Sequence, residues 1–372
     1  MNQRLLSLDA YRGTVMLFMA SAGFGIPQVA HSNPDHPLAL LAPLLEHVPW
    51  VGCAPWDLIQ PAFMFMVGVA MPYSYGKRTA LGETPGKQLM HAISRSIILV
   101  LLAVVLASRK QQTWIFTNVL GQIGLGYTFL YLIHKRSFKQ QLIISGSILV
   151  SYWMLFALFP TQEPTADGSS LTGFFSHWSK NANIATAFDS WFLNLFPGSM
   201  WKPNEGGYHT LNFIPSLVTM VMGVMAGTYL QTDVPLLVKI QRFFIAGALL
   251  IVTGWILGQF ACPIVKRIWT PTWVLFSGGW VMMLLGFFVL IVDHLQFQKL
   301  AWPFAIVGMN SIAIYLGSQL CTGWLREFLH IHFGGPAFYS QGSGPICERC
   351  GVLLLLWGLC WWLHKNKAYL RI

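Results

Sequence analysis

Charged side chains are scarce in this sequence. Lys and Arg account for 23 of the 372 residues and Asp and Glu for 13, which together make 10% of the chain. Soluble domains carry about 25% charged residues, because most of their surface faces water. The scarcity therefore excludes an ordinary soluble protein. The composition also excludes a disordered chain and a nucleic-acid-binding module, although the net charge is +10.

Apolar residues take the place of the missing charges. Hydrophobic residues make up 55% of the chain and the mean hydropathy is +0.55. A helix that crosses a bilayer needs roughly 20 mostly apolar residues. The predicted spans are residues 13–29, 55–76, 93–108, 114–134, 141–160, 209–230, 242–261, 272–292, 301–320 and 349–364. We therefore predict an all-α polytopic membrane protein with about 10 transmembrane helices, in which residues 1–372 form a single domain.

The few charges are divided unevenly between the two sides of these spans. If the N-terminus lies inside, the inner segments hold 15 of the 23 Lys and Arg residues but only 4 of the 13 acids. Cytoplasmic loops carry an excess of Lys and Arg, so we predict a cytoplasmic N-terminus. The three long connections, residues 28–54, 161–208 and 321–348, then lie on the periplasmic side. Long loops on one face suggest that substrate is handled there.

A histidine and a carboxylate stand together at the start of the second predicted span. His47 lies in the preceding connection and Asp57 at the span entrance, where an ionisable group is costly and marks a functional candidate. Histidine changes its charge near neutral pH, which suits a general base, and a carboxylate can orient the imidazole. We predict that His47 and Asp57 are catalytic. The alternative is that each caps a turn or a helix, since ten residues of separation fix no distance.

Six motifs resemble those of heparan-α-glucosaminide N-acetyltransferase and its bacterial relatives, which belong to a wider group of transmembrane acyltransferases. The first is RLLSLDAYRG at residues 4–13, and the second joins HVPWVG to DLIQPAFMFMVG over residues 47–68. The others are NVLGQIG at 118–124, EGGYHTLN at 205–212, KRIWTPTW at 266–273 and GMNSIAIY at 308–315. Each motif alone is weak, but six in the same order are more specific.

This resemblance implies an enzyme in the bacterial inner membrane, with a homodimer as the suggested assembly. It would move an acetyl group from cytosolic acetyl-CoA to the amine of glucosamine or a related amino sugar on the periplasmic side. The essential histidine of the family falls at His47. The chain departs from the human enzyme at Gln122, where that enzyme has Arg, and at Ser318 and Gln319, where it has a His. The second departure places more weight on His47.

The remaining polar residues supply candidates for binding. Polar residues inside spans usually face the bundle interior. The candidates for binding acetyl-CoA are Asn118, Gln122, Asn212, Ser216, Lys266, Arg267, Asn310 and Ser311. Trp50 and Glu205 are candidates for binding the sugar. The alternatives are hydrogen bonds between helices for the uncharged residues, and lipid headgroups for Lys266 and Arg267. We predict no metal, because the Cys347–Cys350 pair lacks a further set of ligands.

Two other functions fit the composition. An amino-sugar transporter would occupy the same kind of helical bundle, but it predicts paired repeats and broken helices, which the sequence does not clearly contain. An O-acyltransferase that modifies a cell-envelope glycan is also compatible, because a histidine base serves a hydroxyl as well as an amine. The bilayer is the one macromolecular partner that all three readings share, and none of them predicts nucleic acid.

Overall fold

The computed structural model describes residues 5–108, 114–161, 171–198 and 200–370. Arg4 of the first motif and part of the 161–208 connection therefore lie outside the described residues. Within them, the prediction of an all-α multi-pass membrane protein is confirmed. They contain seven helices long and apolar enough to cross a membrane, or eight if one bent pair counts as a single span. The extended backbone among them includes one isolated bridge, between Val51 and Val265.

Fifteen α-helices follow one another along the described residues. They are α1 (Leu6–Ser21), α2 (Ile26–Ser32), α3 (Ile59–Ala80), α4 (Pro85–Ala107), α5 (Val119–His134), α6 (Phe138–Ala157), α7 (Ile184–Phe192), α8 (Phe213–Leu230), α9 (Leu236–Gly258), α10 (Pro271–Phe288), α11 (Gln298–Met309), α12 (Ser311–Leu320), α13 (Thr322–His332), α14 (Pro336–Ser340) and α15 (Gly344–Lys365). Short 3₁₀ turns and one π-helical turn connect several of them.

The ten predicted spans all coincide with helices, although the boundaries shift. The spans predicted at 93–108 and 349–364 are too short, since α4 has 23 residues and α15 has 22. Both helices begin with polar turns, which the hydropathy of the sequence leaves out. The spans at 55–76 and 114–134 coincide with α3 and α5, and α5 has only 16 residues. The count of ten and the cytoplasmic N-terminus stay predictions.

Glycines allow the central helices to approach closely. A Cβ on Gly68 of α3 would lie 1.9 Å from the carbonyl oxygen of Met220, and one on Gly223 of α8 would lie 2.0 Å from that of Phe65. Small residues permit such backbone contact between membrane helices. Further along α8, a Cβ on Gly227 would lie 2.4 Å from the carbonyl oxygen of Val69. Because the contact moves from Phe65 and Gly223 to Val69 and Gly227, α3 and α8 run parallel and begin at the same end of the bundle.

Helices α5 and α10 begin at that end as well. Gln60 at the start of α3 donates to Gln122 in α5, and Asn212 before α8 donates to Arg267 before α10. We call this end, which holds His47, the histidine end. The opposite end, where α3 finishes and α4 begins, carries a row of cations and is called the basic end; it includes Lys77, Arg78, Lys135, Arg136 and Lys139.

One of the predicted spans is broken in its middle. Helices α11 and α12 meet at 67°. The break lies at Asn310, which has a non-helical backbone (φ −117°, ψ 30°) and is fully buried. Its side-chain amide donates to the carbonyl oxygen of Ile306 at 3.3 Å. The Oδ1 atom of Asn310 is buried and accepts no hydrogen bond from any described residue.

Candidate active site

The structure brings His47 and Asp57 into direct contact. Nδ1 of His47 lies 2.7 Å from Oδ1 of Asp57. Asp57 belongs to a short 3₁₀ turn, Pro55–Leu58, that comes just before α3. Its other oxygen accepts the backbone N–H groups of Ala54 at 3.0 Å and Val48 at 3.3 Å. The backbone of this one loop therefore fixes the carboxylate, and the carboxylate in turn orients the imidazole.

Lys266 completes a cluster of three ionisable groups. It comes from the connection between α9 and α10, and its Nζ lies 3.2 Å from Oδ1 of Asp57 and 3.1 Å from Nδ1 of His47. Asp57 and Lys266 are both buried, whereas the side chain of His47 is 40% exposed. A buried carboxylate therefore stands between a buried ammonium and a half-exposed imidazole.

The two buried groups shift each other's pKa. Burial lowers the pKa of Lys266 from its ordinary value to about 8, although the negative charge of Asp57 opposes the change. Burial alone would raise the pKa of Asp57, but the hydrogen bond from His47 and the charge of Lys266 outweigh burial and lower it to about 2. Asp57 is therefore ionised at neutral pH, and the pKa of Lys266 lies not far above neutral pH.

The cluster leaves one nitrogen of His47 available for chemistry. Both polar contacts of the ring are made by Nδ1. Because the ionised Asp57 can only accept, Nδ1 carries the proton in the neutral ring and donates it to Asp57, and the lone pair lies on Nε2. The ammonium of Lys266 then donates to Asp57, and its 3.1 Å approach to Nδ1 is a close contact between two donors. Because the side chain of His47 is half-exposed and its ring is oriented by a carboxylate, Nε2 can accept a proton as a general base.

Arg267 ties the histidine loop to two other segments. Its Nη1 donates to the carbonyl oxygen of Gly206 at 2.8 Å, and its Nη2 donates to that of Val48 at 3.2 Å. The guanidinium also lies 5.4 Å above the ring of Tyr208. In this arrangement Arg267 serves the protein itself, and its predicted role in binding acetyl-CoA stays a prediction.

A cavity of about 600 Å³ lies beside Gly206, which Arg267 contacts. Its size is within the usual range for a small-molecule site, roughly 300–1,000 Å³. Glu205, Gly206 and Tyr208 line one side, and Thr117 lines the other. The exposed carboxylate of Glu205, predicted to bind the sugar, lies in this cavity. His47 is not among the lining residues, so Gly206, Tyr208 and Arg267 separate the cavity from the cluster.

Trp50, the other residue predicted to bind the sugar, is only 4% exposed. Its indole N–H donates to the carbonyl oxygen of Trp178 at 3.0 Å. Its ring packs so closely on Gly207 that a Cβ there would lie 2.7 Å away. Trp50 therefore supports the loop that lines the cavity, and the structure places no part of it in the cavity lining.

Three of the residues predicted to bind the cofactor make internal hydrogen bonds. Asn118 caps α5 by accepting the N–H of Gly121 at 2.9 Å. Gln122 is buried and donates to the carbonyl oxygen of Thr117 at 3.1 Å. Ser216 donates to the carbonyl oxygen of Phe213, one turn earlier in α8. These contacts are the ones expected from purely structural residues.

Asn212, Asn310 and Ser311 differ in their distance from the cluster. Asn212 donates to the carbonyl oxygen of Arg267 at 2.8 Å, which holds it beside the cluster. Its Oδ1 is buried and receives no hydrogen bond from the described residues. Asn310 and Ser311 lie at the break between α11 and α12, and no contact joins them to His47, Asp57 or Lys266 among the described residues.

Sequence reasoning missed a second His–Asp pair. Nδ1 of His209 lies 3.1 Å from Oδ2 of Asp189, which also accepts the N–H of Thr210 at 3.0 Å. The hydroxyl of Thr186 lies 3.2 Å from Nε2 of His209. His209 stands inside one of the motifs, but Asp189 lies on α7 in a connection that the sequence presents as a loop. No local pattern therefore linked the two.

The described residues contain no group of three or more His, Cys, Asp or Glu side chains that could hold a metal ion. All six cysteines are free thiols. Cys347 is exposed and Cys350 half-buried, both in the first turns of α15.

The fold and the cluster define a class, a multi-pass all-α membrane protein with a His–Asp–Lys cluster at one end of its bundle. Beyond that class, no protein-family model matches the chain, and no curated protein matches it either. The features that indicate its activity are the cluster, the cavity and the distribution of charge.

Proposed function

We propose that this protein is a membrane-embedded acetyltransferase. It moves an acetyl group from acetyl-CoA, approaching from the basic end, to the amine of glucosamine or a related amino sugar at the histidine end. In this proposal the basic end faces the cytosol of a bacterium and the membrane is its inner membrane. The observation that carries the proposal is the contact between His47 and the buried, ionised Asp57, which leaves Nε2 of His47 as a base.

The proposed transfer needs one base and one oriented acyl donor. Nε2 of His47 takes a proton from the amine as the amine nitrogen attacks the thioester carbonyl, and Asp57 stabilises the resulting imidazolium. The C–S bond of the tetrahedral intermediate then breaks. The imidazolium returns the proton to the departing thiolate, so the products are the acetamide and the free thiol of CoA. We favour this direct transfer over an acetyl-histidine intermediate.

The charge of the basic end supports the approach of CoA from that side. Arg95, well inside α4, lies 4.7 Å above the ring of Tyr127. Lys135 at the end of α5 is a second cation, and Arg78 at the end of α3 is paired with Glu83 at 3.1 Å. Clustered cations raise the local concentration of an anionic ligand, and CoA carries several phosphate charges.

Reconstituted liposomes test the proposal. Protein is inserted with labelled acetyl-CoA on one side and glucosamine on the other, and acetylated sugar is measured by mass spectrometry. Wild type and the His332→Ala variant, which changes an exposed histidine on α13, should both form N-acetylglucosamine. His47→Ala should form almost none. Equal product from His47→Ala and wild type would refute the role of His47. Transfer to glucose at the same rate would favour a hydroxyl acceptor.

A transporter is the second candidate, and the break between α11 and α12 favours it. Discontinuous helices frequently form the binding site of secondary transporters near the middle of the membrane. Asn310 supplies a buried oxygen there without a hydrogen bond from the described residues. The same liposomes separate the two functions, because a transporter would move labelled glucosamine across the membrane without acetyl-CoA, and an acetyltransferase would not.

A further inference from the structure

A groove with a charged rim and apolar walls lies between α4 and α5 at the basic end. Its volume is about 360 Å³. Lys135 and Arg136 stand at its polar rim, and Leu89 and Leu132 line its walls. We propose that this groove is a binding site for an anionic phospholipid, whose phosphate contacts the two cations and whose acyl chains lie along the walls. The proposal does not depend on the acetyltransferase activity.

The two cations at the rim are available to bind an anionic ligand. Nζ of Lys135 donates to Oε1 of Gln88 at 3.1 Å and to the hydroxyl of Tyr131 at 3.3 Å, which holds the ammonium in place. An ammonium has three N–H donors, so one remains for a ligand. The exposed guanidinium of Arg136 makes no ion pair with any described residue. The groove is lined by no carboxylate, so its two positive charges are uncompensated locally.

The walls of the groove continue into the lipid-facing surface of the bundle. Leu132 in the groove is 50% exposed, and Phe129, one turn earlier in α5, is 52% exposed. On α4, Ile97 and Leu101 are 54% and 57% exposed. Such side chains face hydrocarbon in a protein that crosses a membrane. A soluble phosphate would leave the apolar walls uncovered, whereas a phospholipid matches both the rim and the walls.

Charge complementarity selects an anionic lipid over a zwitterionic one. Basic pockets between membrane helices bind anionic headgroups, and each Lys or Arg near the membrane surface favours anionic lipid. A phosphatidylcholine headgroup carries its own cation, which two uncompensated positive charges would repel. Phosphatidylglycerol carries a phosphate without that cation, so it is the probe that fits the groove.

The test measures lipid retention by native mass spectrometry of the full chain in detergent. Wild type is compared with Lys135→Gln/Arg136→Gln, with Leu132→Trp, which fills the groove without changing charge, and with Lys139→Gln/Lys299→Gln. The last variant removes two exposed positive charges from the basic end outside the groove. Each protein is titrated with phosphatidylglycerol, phosphatidylcholine and glycerol phosphate, and size-exclusion chromatography checks that each variant is folded.

We expect wild type and the control variant to retain phosphatidylglycerol equally and in preference to phosphatidylcholine. The double charge variant should bind it roughly 30-fold more weakly, from two Lys or Arg contacts. Folded Leu132→Trp should also lose affinity. Equal retention of both lipids, an unchanged affinity in either groove variant, or an equal loss in the control would overturn the proposal. Competition by glycerol phosphate at the same concentration as the lipid would show a soluble-anion site instead.

Discussion

The two His–Asp pairs of this protein have similar contacts but different surroundings. In both, Nδ1 of the histidine contacts an aspartate that also accepts a backbone N–H group. His47 is 40% exposed and its Nε2 has no hydrogen-bond partner among the described residues, whereas His209 is fully buried and its Nε2 contacts the hydroxyl of Thr186. A His–Asp pair alone therefore does not make a base. An accessible second nitrogen distinguishes a pair that can react from one that only holds the chain together.

The residues next to the two pairs support the same distinction between their roles. Asp57 has a buried ammonium beside it, at 3.2 Å, and this third group gives the His47 cluster its own titration behaviour. Asp189 lies on α7 and fixes the backbone at Thr210, where the chain enters α8. The second pair therefore holds the loop that lines the cavity, since residues 202–208 come directly before it. We interpret His209 and Asp189 as positioning residues.

Replacing each histidine by alanine should give the largest difference between the two pairs. His47→Ala should lower kcat by about 10²–10⁴-fold, the usual contribution of a general base. Its melting temperature should change little, because Asp57 keeps Lys266 and two backbone N–H groups as partners. The liposome assay and thermal unfolding in detergent measure the two quantities. His209→Ala is the matched variant. It should lower the melting temperature clearly and change kcat little. The reverse pattern would exchange the two roles.

Asp189→Ala should lower the stability of the fold while leaving the His47 cluster intact. It leaves a buried imidazole and the N–H of Thr210 without their acceptor, at a cost of about 3 kcal/mol in the free energy of unfolding. Denaturant unfolding, followed by tryptophan fluorescence in mild detergent, gives the change. Asp57→Ala is the comparison: it leaves the buried ammonium of Lys266 and two backbone N–H groups without their acceptor, so it should lower both the free energy of unfolding and the activity. If Asp189→Ala unfolds at the wild-type denaturant concentration, the pair does not hold this loop.

The sequence predicted the helical membrane fold and singled out the two residues of one pair, although it did not predict the contact between them. Scarce charges and long apolar stretches predicted the helical bundle, and the step in hydropathy at Asp57 marked the first pair. Asp189 gave no such signal, because α7 is a short helix in a polar connection and its partner lies 20 residues away. Lys266 was a candidate for binding acetyl-CoA or lipid headgroups, and the structure pairs it with Asp57, which is 209 residues distant. Contacts between separate connections depend on helix packing, which local patterns do not encode.

Lys266 predicts a pH dependence of the stability. Its pKa is about 8 in the folded protein and 10.5 as the ordinary value, so the unfolded chain binds more protons between these pH values. Lys266 therefore destabilises the fold below pH 8, and this penalty is relieved as the pH rises toward 10.5. The unfolding free energy of wild type minus that of Lys266→Met should rise by up to about 3 kcal/mol across the window.

Thermal unfolding of both proteins at pH 7.5, 9 and 10 measures this difference, and subtraction removes the groups that they share. Lys202→Met, an exposed lysine in the loop before His209, is the control and should give a flat difference. A difference that falls with pH would mean that the ammonium of Lys266 is stabilised by its site, and the cluster would then need a second negative charge.

Glu205 offers the smallest expected change and tests whether the cavity serves the base. Glu205 is exposed and lines the cavity, and Arg267 joins the neighbouring Gly206 to Val48, the residue after His47. If the amino sugar binds there, Glu205→Gln should raise KM for glucosamine by about tenfold, the effect of one lost charge-assisted hydrogen bond of roughly 1.5 kcal/mol, with kcat nearly unchanged. Glu327→Gln on α13 should change neither value. A fall in kcat at constant KM would instead show that Glu205 acts on the reacting atoms. The second His–Asp pair would then hold in place a loop, residues 202–208, that takes part in the reaction of His47.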